Sequence, residues 1–185
     1  MSLDRLWAAW RGDYLAGTGA GAGEGGEGGA GGPESEAGEA DTTSCVFCRL
    51  AAEPGGGDAA VQVIHASDRA VVVLNAFPYT NGHVLVLPRR HVADLLNLDD
   101  ADRIAVWELA TDAMRAVRAA YRPDGVNLGA NIGRAAGAGI PGHVHLHVLP
   151  RWYADTNFST AVAETRVMPE ALGVSADRLR AAWPR

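Results

Sequence analysis

Apolar and polar positions fall into short blocks along most of the chain, and the blocks change period twice. Val61–His65 and Val71–Leu74 are short apolar runs separated by the turn-prone pair Ser67-Asp68, which predicts two strands joined by a tight connection. PYTNGH supplies a second turn, and Val84–Leu87 is a third apolar strand. The period then becomes helical. Asp99 or Asp100 is a suitable cap, and Ile104, Trp107, Met114, Val117 and Tyr121 are spaced along one predicted inner face. Pro123-Asp124-Gly125 ends that helix. Val126–Asn131 reads as a strand, GRAAGAG as a glycine-rich loop, and His143–Leu149 as a strand with strict alternation. Strands, one long helix and more strands predict an α+β fold with a mainly antiparallel sheet.

Residues 16–42, AGTGAGAGEGGEGGAGGPESEAGEADT, break this pattern. They offer almost nothing to bury and are expected to form a flexible linker. Ahead of it, residues 1–15 carry Leu6, Trp7, Trp10 and Tyr14 at helical spacing. Two tryptophans before such a linker are expected to dock on the main domain or on a partner subunit. The main domain is expected over residues 43–185.

Hydrophobic residues make up 48% of the 185, enough for a core, and the net charge is −6. That balance disfavours a nucleic-acid backbone or an anionic membrane as the main partner, since both select a basic face. No apolar run approaches the roughly 20 residues of a membrane span, and MSLDRLWAAWRGDYL lacks the basic start and apolar middle of a signal peptide. A soluble cytoplasmic protein is the expectation. The two cysteines, Cys45 and Cys48 in CVFC, are too few and too close for a disulfide framework. In a reducing compartment they are free to bind metal, or to act as a redox pair.

The alternating strand holds the candidate chemistry. His143, His145 and His147 stand at every second position with Val144 and Leu146 between them, so three of the chain's six histidines share one face. Neighbouring imidazoles would lie about 6–7 Å apart. Folding has no use for such a row. Metal binding has one, because neutral imidazole is the commonest metal ligand. Nucleophilic catalysis has another, through attack of an imidazole on phosphorus.

GHVHLHVLP resembles the signature of the histidine triad (HIT) family of nucleotide hydrolases and transferases. CVFC, VVVLNAFPYTNGHVLVLPRRH and NLGANIGRAAGAG are similar to their HIT counterparts in order and spacing, so the resemblance covers residues 45–152. LWAAWRGDYL and PRWYADTNFSTAVAETRVMPEAL resemble the bacterial diadenosine-tetraphosphate phosphorylase-like branch. The resemblance implies a HIT-like fold and a homodimer. It makes His145 the nucleophile on the α-phosphorus of a nucleotide and His147 a phosphate contact. His143 completes the triad. It also implies a structural zinc held by Cys45, Cys48, His91 and His143, a closed set with no position for substrate. No organic cofactor is implied.

The same resemblance assigns substrate contacts to Asn75 (ribose), Asn131 (phosphate), Gly137 and Gly139 (backbone approach to phosphate) and Trp152 (a second nucleoside, or packing against the head). Without it, Asn75 reads as a turn residue. Val73, Leu74 and Phe77 line the base pocket or belong to the core. His83 matches the family as a structural histidine under the nucleotide pocket, while His65 has no counterpart and is expected at the surface. One departure is informative: Ala136-Gly137-Ala138-Gly139 lacks the glutamine many HIT hydrolases carry there. The implied activity is cleavage of dinucleoside polyphosphates with inorganic phosphate as acceptor. The alternatives are hydrolysis of these substrates or of nucleoside phosphoramidates, with water as acceptor, a nucleotide sensor with little turnover, and an open metal site on the HxHxH row.

Overall fold

The structure is a computed structural model that describes Thr42 and residues 44–52, 62–155 and 170–184. The expected head and the expected linker up to residue 41 lie outside the described residues, which all fall within one compact unit, Glu39–Arg185. In chain order the elements are helix α1 (Val46–Ala52), strands β1 (Val63–Ala66), β2 (Ala70–Leu74) and β3 (Val84–Pro88), a 3-10 turn at Leu95–Asn97, helix α2 (Asp100–Tyr121), strand β4 (Gly125–Ala130), a 3-10 turn at Arg134–Ala136, strand β5 (Leu146–Arg151) and helix α3 (Leu172–Ala181). The five strands form one antiparallel sheet in the order β1-β2-β3-β5-β4. This is the α+β architecture the hydrophobic pattern predicts. No helix among the described residues is long and apolar enough to cross a membrane.

Every residue of β2 and β3 is buried, which explains why AVVVL and VLVLP are continuous apolar runs rather than alternating ones. One face packs Val72, Leu74, Val84, Val86, Leu146 and Val148 against α2 and α3. The other packs Val71, Val73, Leu85 and Leu87 against Phe47, Leu50 and Ala51 of α1. Helix α1 is short, and the strand residues of the buried cluster beneath it come from β1, β2 and β3.

Helix α2 begins where expected: the Asp99 carboxylate accepts from the Asp102 N–H at 2.7 Å. It ends at Arg122, a left-handed residue (φ 48°) just before Pro123. Its inner face departs from the expectation. Ile104 and Trp107 are exposed, and only Val117 of the five expected residues is fully buried, with Met114 and Tyr121 flanking the core. The contact stripe is Val106, Leu109, Ala110, Ala113 and Val117. Small alanines let the helix approach the sheet closely, whereas sequence periodicity weighted the large side chains.

Strand limits also shift. Regular pairing in β5 starts at Leu146 rather than His143, because the Val144 N–H donates to Val92 O at 2.7 Å instead of joining the ladder. β4 starts one residue early, at Gly125, and ends at Ala130. His65 is half-buried rather than at the surface, its ring stacked on Trp183 at 4.7 Å. Gly82 (φ +76°) closes the turn into β3, and a Cβ there would come within 2.4 Å of the Tyr121 ring. Gly82→Ala combines left-handed strain with this overlap and is expected to cost about 2–4 kcal/mol. Denaturant unfolding of the variant measures this.

Candidate active site and metal centre

The three triad histidines reach the site by two routes. His147 lies within β5, opposite Leu85 of β3, and so occupies the face that α1 half-covers. His143 sits at a bend ahead of the strand and His145 immediately before its first residue. All three are buried, and the His145 and His147 ring centroids are 5.0 Å apart. Phe47 of α1 packs edge-on against His143 at 5.6 Å and His145 at 4.9 Å. That contact was missed in the sequence because CVFC drew attention to its cysteines alone.

Each ring has one nitrogen committed to the protein. His143 Nε2–H donates to Pro88 O at 2.9 Å, leaving Nδ1 with a free lone pair. His145 Nδ1–H donates to His143 O at 2.9 Å, so the lone pair is on Nε2. For His147 the order is set from outside. His83 Nδ1 accepts the Tyr79 backbone N–H at 3.1 Å, which makes it unprotonated, so His83 Nε2–H donates to His147 Nδ1 at 2.9 Å. The His147 proton is then on Nε2, a buried atom with no protein partner among the described residues. A buried polar atom left in this way is a ready contact for a ligand.

Burial lowers the proton affinity of all three rings. It pulls His143 and, with His145 nearby, His147 down to about 4, and it lowers His145 as well. These rings are neutral near pH 7. The His147 share of stability is therefore present above the ordinary histidine value, about 6.5, and is lost as the pH falls toward 4, because the unfolded chain takes up the proton first. Its limit is about 3 kcal/mol. Urea unfolding at pH 7 and pH 4.5 should show a smaller acid loss in His147→Asn than in the parent protein.

Cys45, Cys48, His91 and His143 converge on one point, with all four ligand atoms within 4.8 Å of one another, and can hold a metal ion. His143 Nδ1 is 3.5 Å from both sulfurs, and His91 Nδ1 is 3.1 Å from Cys48 Sγ. A tetrahedron with metal–ligand bonds of about 2.0–2.3 Å has edges near 3.5 Å, so this S2N2 set fits zinc. Pro88 O acts as the outer partner that aims His143 Nδ1 inward. Burial, and then Cys45, push the Cys48 thiol up to about 11. A divalent cation would displace that proton on binding.

The other expected site residues lie on separate segments, and only Gly139 lines the cleft beside this centre. Asn75 is committed within its own loop: Oδ1 accepts from the Phe77 N–H at 3.0 Å and Nδ2 lies 3.2 Å from His83 Nδ1. Val73 and Leu74 are core residues on opposite faces, while Phe77 is highly exposed. Asn131 is half-buried just after β4. Gly129, directly opposite His147 on β4, has nothing within 4 Å of an added Cβ, so the floor beside His147 is open. Gly133 (φ +79°) and Gly137 (φ +88°) bracket the 3-10 turn of the glycine-rich loop, and Gly139 is exposed. An open cleft of about 410 Å³ runs along this loop, bounded by Cys45, His91, Arg134 and residues 139–142. Trp152 is half-buried, with its ring edge-on to Tyr121 at 6.3 Å.

Comparison with known proteins agrees with this geometry. The HIT domain family model matches residues 57–153. The chain is 31% identical over 183 residues to a Mycobacterium tuberculosis protein named AP-4-A phosphorylase, covering 99% of this chain and 86% of that one. It is 32% identical over 124 residues to an uncharacterized HIT-like protein of Mycoplasma genitalium, covering 67% of this chain and 84% of that one. A crystal structure of a zinc-bound histidine triad family protein from Mycobacterium smegmatis superposes with a TM-score of 0.61 at 30% identity, covering 76% of this chain and 94% of that one. With its triad, its antiparallel sheet and these relatives, the chain belongs to the HIT family.

Proposed function

We propose that this protein is a nucleotidyl transferase that cleaves dinucleoside polyphosphates by phosphorolysis through a nucleotidyl-histidine intermediate. The observation that carries this reading is the commitment of His145 Nδ1–H to His143 O, which leaves the Nε2 lone pair available beside the unpartnered His147 Nε2–H. His145 Nε2 forms a bond to the α-phosphorus. The P–O bond to the remaining nucleotide breaks, and that nucleotide departs with the electron pair. An oxygen of inorganic phosphate then attacks the same phosphorus, the N–P bond breaks, and His145 returns to its neutral form. His147 stabilises charge on the phosphoryl oxygens as a neutral donor.

The glycine-rich loop and Arg134 supply backbone N–H groups and a cation to the same anionic chain. Asn75, Asn131, Gly137, Gly139 and Trp152 bind the nucleotide portions. A zinc ion on Cys45, Cys48, His91 and His143 is structural, tying α1 to the approach of the catalytic strand. The full-length match to the phosphorylase supports phosphate over water as acceptor. So does the absence of the glutamine.

The test is incubation with diadenosine tetraphosphate with and without inorganic phosphate. ADP plus ATP formed only with phosphate is the expected result. AMP plus ATP, or two ADP, regardless of phosphate identifies a hydrolase and removes the acceptor argument. No turnover but tight nucleotide binding identifies a sensor.

The functional unit we infer is a homodimer. Ile104 and Trp107 of α2 and Leu128 of the edge strand β4 are apolar and exposed, and Leu128 lies on the α2 side of the sheet opposite Val148. Sedimentation of the full chain should give twice the monomer mass. A monomer across the micromolar range rules this out. The head (residues 1–15) is proposed to strengthen the assembly, joined by a flexible linker (residues 16–42), and a cytoplasmic location is proposed from the metal-ready thiols.

A further inference from the structure

Besides donating its backbone N–H, Tyr79 sets its ring against both His83 and His147. It lies in the turn between β2 and β3, half-exposed at the edge of the histidine site. Its ring is tilted against His83 at 4.7 Å and lies nearly parallel to His147, 13° off, at 5.9 Å. Its N–H and the Asn75 amide both approach His83 Nδ1, at 3.1 and 3.2 Å. The backbone donor fixes the His83 tautomer, but it does not fix where the two rings point. A half-turn of the His147 ring would carry Nδ1 away from His83 Nε2–H and leave that buried donor without its acceptor. It would also turn the His147 N–H away from the open side of the site. The Tyr79 ring lies flat along one side of His147 and contacts His83, so it obstructs that rotation in both rings.

We propose that Tyr79 is a positioning residue whose aromatic ring holds His83 and His147 in one arrangement, so that His147 presents Nε2–H to an anionic group of the bound ligand. The role of His147 as donor rests on the function proposed above; the ring arrangement does not. Phe77, two residues earlier, is more exposed and has no ring contact with the histidines among the described residues. Aromatic character in this loop is therefore used at Tyr79.

The experiment uses the metal-loaded full chain and the variants Tyr79→Phe, Tyr79→Leu and Tyr79→Ala. Long-range proton–nitrogen correlation spectra at pH 7 report which nitrogen of each histidine carries the proton. The parent and Tyr79→Phe should show His147 in a single form protonated on Nε2. Tyr79→Ala and Tyr79→Leu should show averaging between the two forms at His147, with kcat lower by about tenfold and KM changed less than about threefold. A single Nε2-protonated form in Tyr79→Ala or Tyr79→Leu, with kcat as in the parent, overturns the proposal. Leucine keeps the bulk and the backbone donor, so it decides the matter if the alanine variant does not fold. Should the parent fail to turn over dinucleotides, the proposed function falls while the spectra still decide the role of Tyr79.

Discussion

His145→Ala should lower turnover of a dinucleoside polyphosphate by about 10⁴-fold or more while leaving nucleotide affinity within about threefold, since removal of a nucleophile takes away the covalent route and little ground-state contact. The neighbours cannot replace it. His147 accepts from His83 at Nδ1 and carries its proton on Nε2, so it has no free lone pair. His143 directs one nitrogen to Pro88 O and the other to the sulfurs. Burial keeps His145 neutral near pH 7, the form the proposed nucleophilic role requires. Brief mixing of the parent with labelled dinucleotide should leave label on the protein through a bond stable in alkali and broken by acid, the behaviour of an N-phosphoryl histidine. The variant should retain none. Turnover within tenfold of the parent in His145→Ala would sink the covalent mechanism, whatever the acceptor.

Cys45→Ser should reduce bound zinc from one equivalent to near none and lower the unfolding midpoint by about 10 °C. That corresponds to roughly 3 kcal/mol for a domain of this size. The four candidate ligands come from the start of α1 and the residue before it, from the segment after β3 and from the approach to β5, so a metal held there would close the loops between them. Turnover should fall as well, by about 10–100-fold, the range seen when outer supports of a site are removed. The route is short: His143 is both a candidate ligand and the residue whose carbonyl holds His145 Nδ1–H. Metal content, thermal unfolding and kcat measured on the same sample check all three. Complete loss of turnover with an unchanged midpoint would make the metal a participant in the reaction rather than a brace.

The β-strands, the capped helix and the histidine row were legible in the sequence because each is a local pattern. Asp99 caps α2 where the sequence places a cap, and His147 shares the face of Leu85 as strand alternation demands. The inner stripe of α2 was not legible. Periodicity finds a face, but Ala110 and Ala113 win it by allowing close approach, which large residues such as Trp107 cannot. The tautomers were beyond reach for a different reason. They depend on which carbonyl or N–H meets each ring nitrogen: Pro88 O, His143 O and the Tyr79 N–H all belong to the main chain, and any residue can supply them. Tyr79 sits inside PYTNGH, where Pro78, Asn81 and Gly82 already account for a turn and its own ring has no pattern to mark it.

Gly129 gives the site an adjustable width. It faces the same side as His147 from the neighbouring strand, and a methyl group added there would touch nothing. Its backbone angle is not in the left-handed range, so alanine carries no backbone strain there and would even stabilise the folded state by about a few tenths of a kcal/mol through the unfolded chain. On the proposed function, a methyl group at this one position would be felt by the bound nucleotide and not by the fold. Substrate range could then shift at residue 129 with no compensating change elsewhere in the sheet.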